Sequence, residues 1–443
     1  MSERESTAST VPRQGAKQGA SSPTTMVGID RSIWSDRMLA ALDNGVKGRK
    51  WFSLIDKVYR SSTLESAWLQ VYRNQGAAGV DRQSVTRFAS QAEGYLGELQ
   101  ADLVADRYRP QAVRRVEIPK GNGKMRPLGI PTVKDRIVQA AVKRVIEPIF
   151  EHEFLPMSYG FRPGRGCKDA LRDVDEALKA GMTWVVDADL QGYFDSIPHE
   201  RLMARVEERI SDGRLLALLR QWLTQDIVSE MKCWKPTAGT PQGAIISPLM
   251  ANLYLHPLDQ EMTQRGYRMV RYADDFVILC CSEPEAQQAL AHVRAWVEAN
   301  GLILHPDKTH VGDCRQPGQG FDFLGYRFEA GKRWVRKKSL KAFKDKVRSK
   351  TRRTEGKSLQ QVIASLNPLL RGWFNYFQHA CRTTFSMLDK MIRRRLRAML
   401  RKQEKRPGYG RTHSDHRRWP NAFFATAGLF TLSGAWQLAR QSR

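Results

Sequence analysis

The segment MVRYADDFVIL, residues 269–279, sets two aspartates, Asp274 and Asp275, side by side in a run of β-formers. Strand-favouring residues on both sides make it two strands with the acidic pair near the turn between them. Adjacent carboxylates repel, and apolar flanks tend to strip them of water, so the pair calls for something positive to meet it. The bland alternative is an ordinary turn, where Asp is common. A second segment, WVVDADLQGYFDSIPH, places Asp189 at the end of another apolar strand. If that strand pairs beside the hairpin, Asp189 meets Asp274 and Asp275 at one edge of a sheet. Three converging carboxylates suit two divalent cations about 3.5–4 Å apart, and oxygen ligands favour Mg²⁺. Asp187 and Asp195 read as strand-end and turn residues.

The remainder of the chain supplies the opposite charge. Its 443 residues carry a formal net charge of +26, which predicts a polyanionic partner bound in a salt-sensitive way. The excess is concentrated: residues 331–410 hold 24 Lys and Arg against four Asp and Glu, a local +20. Such a segment reads as a binding surface rather than general solubility. The six cysteines form no C-x-x-C pair, so neither a zinc ribbon nor a disulfide framework is expected, and a reducing, cytoplasmic setting is. No apolar run is long enough to span a membrane. Residues 1–28, rich in Ser, Thr, Gln and Gly, read as a disordered tail with no signal-peptide core.

Residues 29–78 show apolar spacing of three and four and are expected to be helical. VRRVEIPKGNGKMRPLGIP reads as a hairpin turning at GNG. TVKDRIVQAAVKRVIEPIFEHEF, ISPLMANLYLHPLDQEM and SEPEAQQALAHVRAWVEANG read as helices among strands, an α+β pattern with helices on one face of a sheet. The final third is helical. In MLDKMIRRRLRAML, residues Leu388, Met391, Ile392, Leu396, Met399 and Leu400 form one apolar stripe, with Lys390, Arg393, Arg394 and Arg397 on the remainder.

Seven blocks occur in order: IPKGNGKMRPLGIP, SYGFRPGRGCKDAL, DADLQGYFDSIPH, GTPQG, RYADD, LILHPDKT and FLGY. Together with LLRGWFNYF in the basic third, they resemble the group II intron-encoded reverse transcriptase/maturase family from about residue 30 onward. The resemblance implies a right-hand polymerase fold: fingers and palm over 79–330, after a helical extension over 29–78, and then an α-helical basic thumb/maturase domain over 331–410. It implies RNA-directed DNA polymerase activity with two Mg²⁺ ions, for which Mn²⁺ can substitute. Asp189, Asp274 and Asp275 would be the catalytic, metal-binding triad, with Leu190 in the metal set. Phe194 would be the aromatic gate against a ribose 2′ hydroxyl, or else a core phenylalanine. Gln242 would line the nucleotide pocket, or else sit in a turn. Lys120 and Arg126 would lie over the triphosphate, or else be solvated hairpin residues. Lys308 would protonate pyrophosphate, or else be surface charge. Arg393, Arg394 and Arg397 would touch nucleic acid.

The implied partners are a group II intron RNA, an RNA template/DNA primer duplex, target DNA and dNTPs, with no membrane. The extension over 29–78 would contact template and intron RNA. Trp373, Phe374, Tyr376 and Phe377 could stack on bases, but their clustering reads as core. Residues 411–443 would be a short DNA-binding-like segment, in which His413 and His416 are loop histidines without the paired cysteines of an endonuclease. Target DNA would then be reached without second-strand cleavage. Competing readings are a splicing-only RNA-binding maturase, a reverse transcriptase recruited for phage defence, DNA repair or CRISPR spacer acquisition, and a nucleotidyl cyclase. TPQG and the basic thumb have no role in the last.

Overall fold

The computed structural model describes residues 29–119, 125–230 and 232–441. Among these the strands, in chain order, are β1 (Val113–Pro119), β2 (Met125–Ile130), β3 (Trp184–Asp189), β4 (Ile227–Ser229), β5 (Lys232–Trp234), β6 (Arg268–Tyr272), β7 (Asp275–Cys280), β8 (His310–Asp313), β9 (Phe321–Phe323), β10 (Tyr326–Glu329) and β11 (Lys332–Val335). They form three sheets, of order β2-β1-β4-β5, β6-β7-β3-β8 and β11-β10-β9.

The central sheet, β6-β7-β3-β8, is antiparallel throughout. Its pleat sends alternate residues to opposite faces. Val186, Ala188, Met269, Phe276 and Ile278 enter a first core, shared with the helices Ser247–Gln264 and Glu283–Ala299. Val185, Val270, Val277 and Leu279 enter a second, against the helix Cys167–Lys179. The expectation of helices on one face is therefore corrected: both faces are covered. The physical reason lies in the strands themselves, which are apolar on both faces rather than alternating, as strands buried on both sides are.

The hub of the first core is the helix Val133–Glu151, started by Thr132, whose hydroxyl accepts from the Asp135 amide. The N-terminal helix Ser61–Asn74 packs along it. Trp34, 1% exposed, donates its indole N–H to Arg144 O, and Asp30 pairs with the Arg144 guanidinium. The helical extension is thus part of the globule.

The second core holds the β9–β11 sheet and the helices Lys337–Lys350, Leu359–Phe377 and Arg382–Gln403. Phe374 and Phe377 are buried there, Trp373 stacks on Phe343 with ring centroids 4.3 Å apart, and Tyr376 Oη donates to Leu324 O. These aromatics are core, as expected. Residues after 411 fold back onto the same core through Trp419, Phe424, Leu429 and Leu432. Asp389 accepts from the Leu432 and Ser433 amides at 3.0 and 2.9 Å. His413 and His416 lie on a short helix, His413–Arg418, not in a loop; Thr412 and Asp415 form its capping box. No helix among the described residues is long and apolar enough to cross a membrane.

Candidate active site

The three aspartates meet at one end of the central sheet. In the β3/β7 pairing Asp189 stands opposite Asp275, and in the β6/β7 pairing Tyr272 stands opposite the same residue. Ala273 and Asp274 make the turn, with Ala273 in a left-handed conformation at φ 61°. Burial pushes the Asp275 carboxyl up to about 7, and the neighbouring Asp187, Asp274 and Asp189 add to the shift. Asp274 is also raised, by burial first and then by Asp189, while Arg126 and Arg271 pull it back. Asp187, on the same face of β3 as Asp189, is pushed to about 7 by burial, with Asp322 and Asp189 contributing. The expected strand-end residue is therefore a fourth carboxyl in the same electrostatic group.

The donor set suits hard divalent cations. The neighbouring like charges help raise the Asp274 and Asp275 carboxyls, a cost that bound cations relieve. At Leu190 the bridge to Leu304 uses His305 N to Asp189 O and Gln191 N to Ile303 O, leaving the Leu190 carbonyl out of the pairing. Lys308 Nζ lies 2.6 Å from Asp189 Oδ2 and stands where positive charge is wanted. Among the described residues no three Asp, Glu, His or Cys side chains converge into a ready-made metal cage.

A buried network that the sequence reading missed fixes the turn from beneath. Arg271, fully buried, makes two bonds to Asp259, at 2.7 and 2.5 Å. It also donates to Asn252 Oδ1 at 3.0 Å, to Ser158 Oγ at 2.7 Å and to the turn carbonyl of Ala273 at 2.9 Å. Asn252 in turn donates to Gly160 O at 2.7 Å. Gly160 packs against the Ala273 amide so closely that a Cβ would collide with it. The available signal was an arginine inside an apolar strand and an aspartate inside an apolar helix, since buried charges occur in pairs.

Several of the nucleotide candidates lie on or beside the TPQG loop. Arg126 Nε donates to Gln242 Oε1 at 2.9 Å, so these two residues, distant in sequence, are direct partners. Phe194, half-buried, touches Tyr193 edge-on, and its carbonyl accepts from Thr240 N at 2.6 Å. Gly239, at φ 90°, lies against the Phe194 carbonyl, where any side chain would clash. This packing docks the TPQG loop onto the gate candidate. A cavity of about 420 Å³ opens beside them, lined by Arg115, Asp195, Trp234, Gly239 and Gln242 among others. Lys120 and the GNG turn lie outside the described residues.

In the basic thumb, Arg394 is exposed and Arg393 half-buried. Arg397 requires a correction: it is 2% exposed, donates to Trp419 O at 2.8 Å and Asn421 Oδ1 at 2.9 Å, and lies over the Phe424 ring. The C-terminal segment covers it, so it ties that segment down and cannot reach a phosphate in this conformation.

Comparison with known proteins accords with this geometry. Residues 118–328 match the reverse transcriptase (RNA-dependent DNA polymerase) family. Residues 340–419 match the group II intron maturase-specific domain. Protein YkfC of Escherichia coli K12 is 35% identical over 291 residues, covering 56% of this chain and 75% of that protein. The group II intron-encoded protein LtrA of Lactococcus lactis subsp. cremoris is 38% identical over 201 residues, covering 45% of this chain and 33% of LtrA. A telomerase from Candida albicans, solved with a TWJ fragment of telomeric RNA, is a distant structural likeness: 14% identity, TM-score 0.42, 69% of this chain and 60% of that one. A polymerase-type palm joined to a maturase-specific helical domain defines a reverse transcriptase of the maturase class. The chain belongs to the group II intron-encoded reverse transcriptase/maturase family.

Proposed function

We propose that the chain extends a DNA primer on an RNA template at Asp189, Asp274 and Asp275, and that it binds a group II intron RNA, assists its splicing and copies it into target DNA during retrohoming. The observation that carries the polymerase assignment is the register setting Asp189 opposite Asp275, with Asp274 at the adjoining turn. The three carboxylates and the Leu190 carbonyl are the groups that would hold two Mg²⁺ ions, or Mn²⁺ in their place. Such a pair, when bound, activates the primer 3′ hydroxyl and supports the leaving pyrophosphate.

The chain's own residues supply the remainder. Arg126, held by Gln242, places positive charge near the triphosphate, where negative charge develops during transfer. The Phe194 ring excludes a ribose 2′ hydroxyl and so favours dNTPs. Lys308, now on Asp189, is placed to move to the pyrophosphate and donate its proton. The regions 29–78, 79–330, 331–410 and 411–443 serve as extension, fingers and palm, thumb and a C-terminal segment, with the exposed Arg394 and the half-buried Arg393 facing the nucleic-acid backbone. A cytoplasmic location suits these partners.

The test is primer extension with purified Asp274→Ala on an RNA template with dNTPs and Mg²⁺. Activity is expected to fall by about a hundredfold or more, while Tm and template affinity stay near wild type. Full activity in the variant would remove the site assignment.

A further inference from the structure

Phe161 takes no part in the chemistry above, yet its setting is costly. It is 47% exposed, and its φ is 61°. An aromatic residue rarely adopts that left-handed conformation, and such strain persists only where the surroundings impose it.

The surroundings do so from both sides. Arg162, 6% exposed, donates to both Glu151 oxygens and to the carbonyls of Phe154, Leu155 and Ser158. Residues 157–159 lie along the outer edge of β6, with Arg271 N donating to Met157 O and Tyr159 N to Arg271 O, each at 2.9 Å. Gly160 is pressed onto the Ala273 peptide and held by Asn252. With both neighbours pinned, Phe161 is presented outward, its ring 6.4 Å from that of Tyr272.

Position indicates the ligand. Across the catalytic end of the sheet the order is Asp189 on β3, Asp275 on β7, Tyr272 on β6 and then the 157–161 segment. Phe194, assigned to the incoming nucleotide, follows directly from β3. Phe161 stands beyond the aspartate pair, at the opposite end of the row. The nucleotide required on that side is the one that offers its 3′ hydroxyl to the carboxylates.

We propose that Phe161, with Tyr272 beside it, is the surface against which the 3′-terminal nucleotide of the primer packs its base and sugar. The inference rests on the polymerase reading and deepens it. The strain is retained because a rigidly held ring sets the height of the terminal 3′ hydroxyl over the carboxylates, an alignment to which transfer is sensitive.

The experiment measures primer–template affinity by fluorescence anisotropy without dNTP, and dNTP KM by single-nucleotide extension. Phe161→Ala is expected to weaken primer–template binding about tenfold, the scale of one base–aromatic contact, with dNTP KM unchanged. The loss should be alike for all four terminal bases, because stacking is sequence-tolerant. Phe161→Trp is expected to restore binding. Phe161→Gly is expected to lose the same affinity while melting at or above the wild-type temperature, since glycine adopts this φ without strain. Unchanged affinity in Phe161→Ala, or a loss that tryptophan does not recover, overturns the proposal. A wild type that extends no primer sinks the polymerase reading itself; wild-type extension with an indifferent Phe161 sinks only this one.

Discussion

At the scale of single residues, the site stores its charge at a cost to folding. Asp275 and Asp187 are each pushed to about 7 in the folded protein, against about 3.9 in an unfolded chain. The folded state therefore holds protons between roughly pH 4 and 7 that the unfolded state has released. Their contribution to stability is present at the acid end of that window and lost as pH rises through it. Asp275→Asn removes one such carboxylate. In metal-free protein the variant should gain on the wild type as pH rises from 5 to 8, reaching on the order of 1–2 kcal/mol. Added Mg²⁺ should narrow the gap at pH 8 by stabilising only the wild type. Thermal melts across pH check both statements, and a Tm difference that does not change with pH would contradict them.

At the scale of elements, the helix Arg382–Gln403 shows how a basic surface and a structural core share one sequence. Its expected apolar stripe is inward: Leu388, Ile392, Leu396 and Met399 are buried, with Met391 and Leu400 at its margins. Arg394 and Arg397 sit three positions apart in an indistinguishable basic run, yet one is exposed and the other covered. Burial lowers the Arg397 pKa, and its bonds to Trp419 O and Asn421 offset that cost. Arg397→Met should cost about 1–3 kcal/mol of stability by leaving the buried Trp419 carbonyl unpaired. Arg394→Ala should leave Tm nearly unchanged and reduce the salt dependence of RNA binding by about one unit of slope. Denaturant melts and salt titrations of binding separate the two. The helical wheel could not, because it records which face is apolar and not which polar positions another segment will cover.

At the scale of the whole molecule, the central sheet is a shared wall. Val185, Val270, Val277 and Leu279 belong to the core that also holds the thumb aromatics and the C-terminal helix Leu432–Gln441. The part of the chain up to residue 330 is therefore not expected to fold alone. A chain ending there should expose this face and lose its cooperative thermal transition, whereas a cooperative melt would show the palm to be autonomous. Much of this architecture was legible beforehand. The hairpin at Asp274 and Asp275, the strand ending at Asp189, the β1/β2 hairpin and the helical basic third follow from local pattern, because strand and helix periods and turn chemistry are properties of neighbours in sequence. The ordered blocks made the family legible as well. Only the tertiary structure decided which charges are surface and which are scaffold. It paired Arg271 with Asp259, joined Arg126 to Gln242, buried Arg397 and forced Phe161 outward. Each of those outcomes depends on a contact between segments distant in sequence, and an arginine's own neighbours do not specify whether water or a carboxylate will meet it.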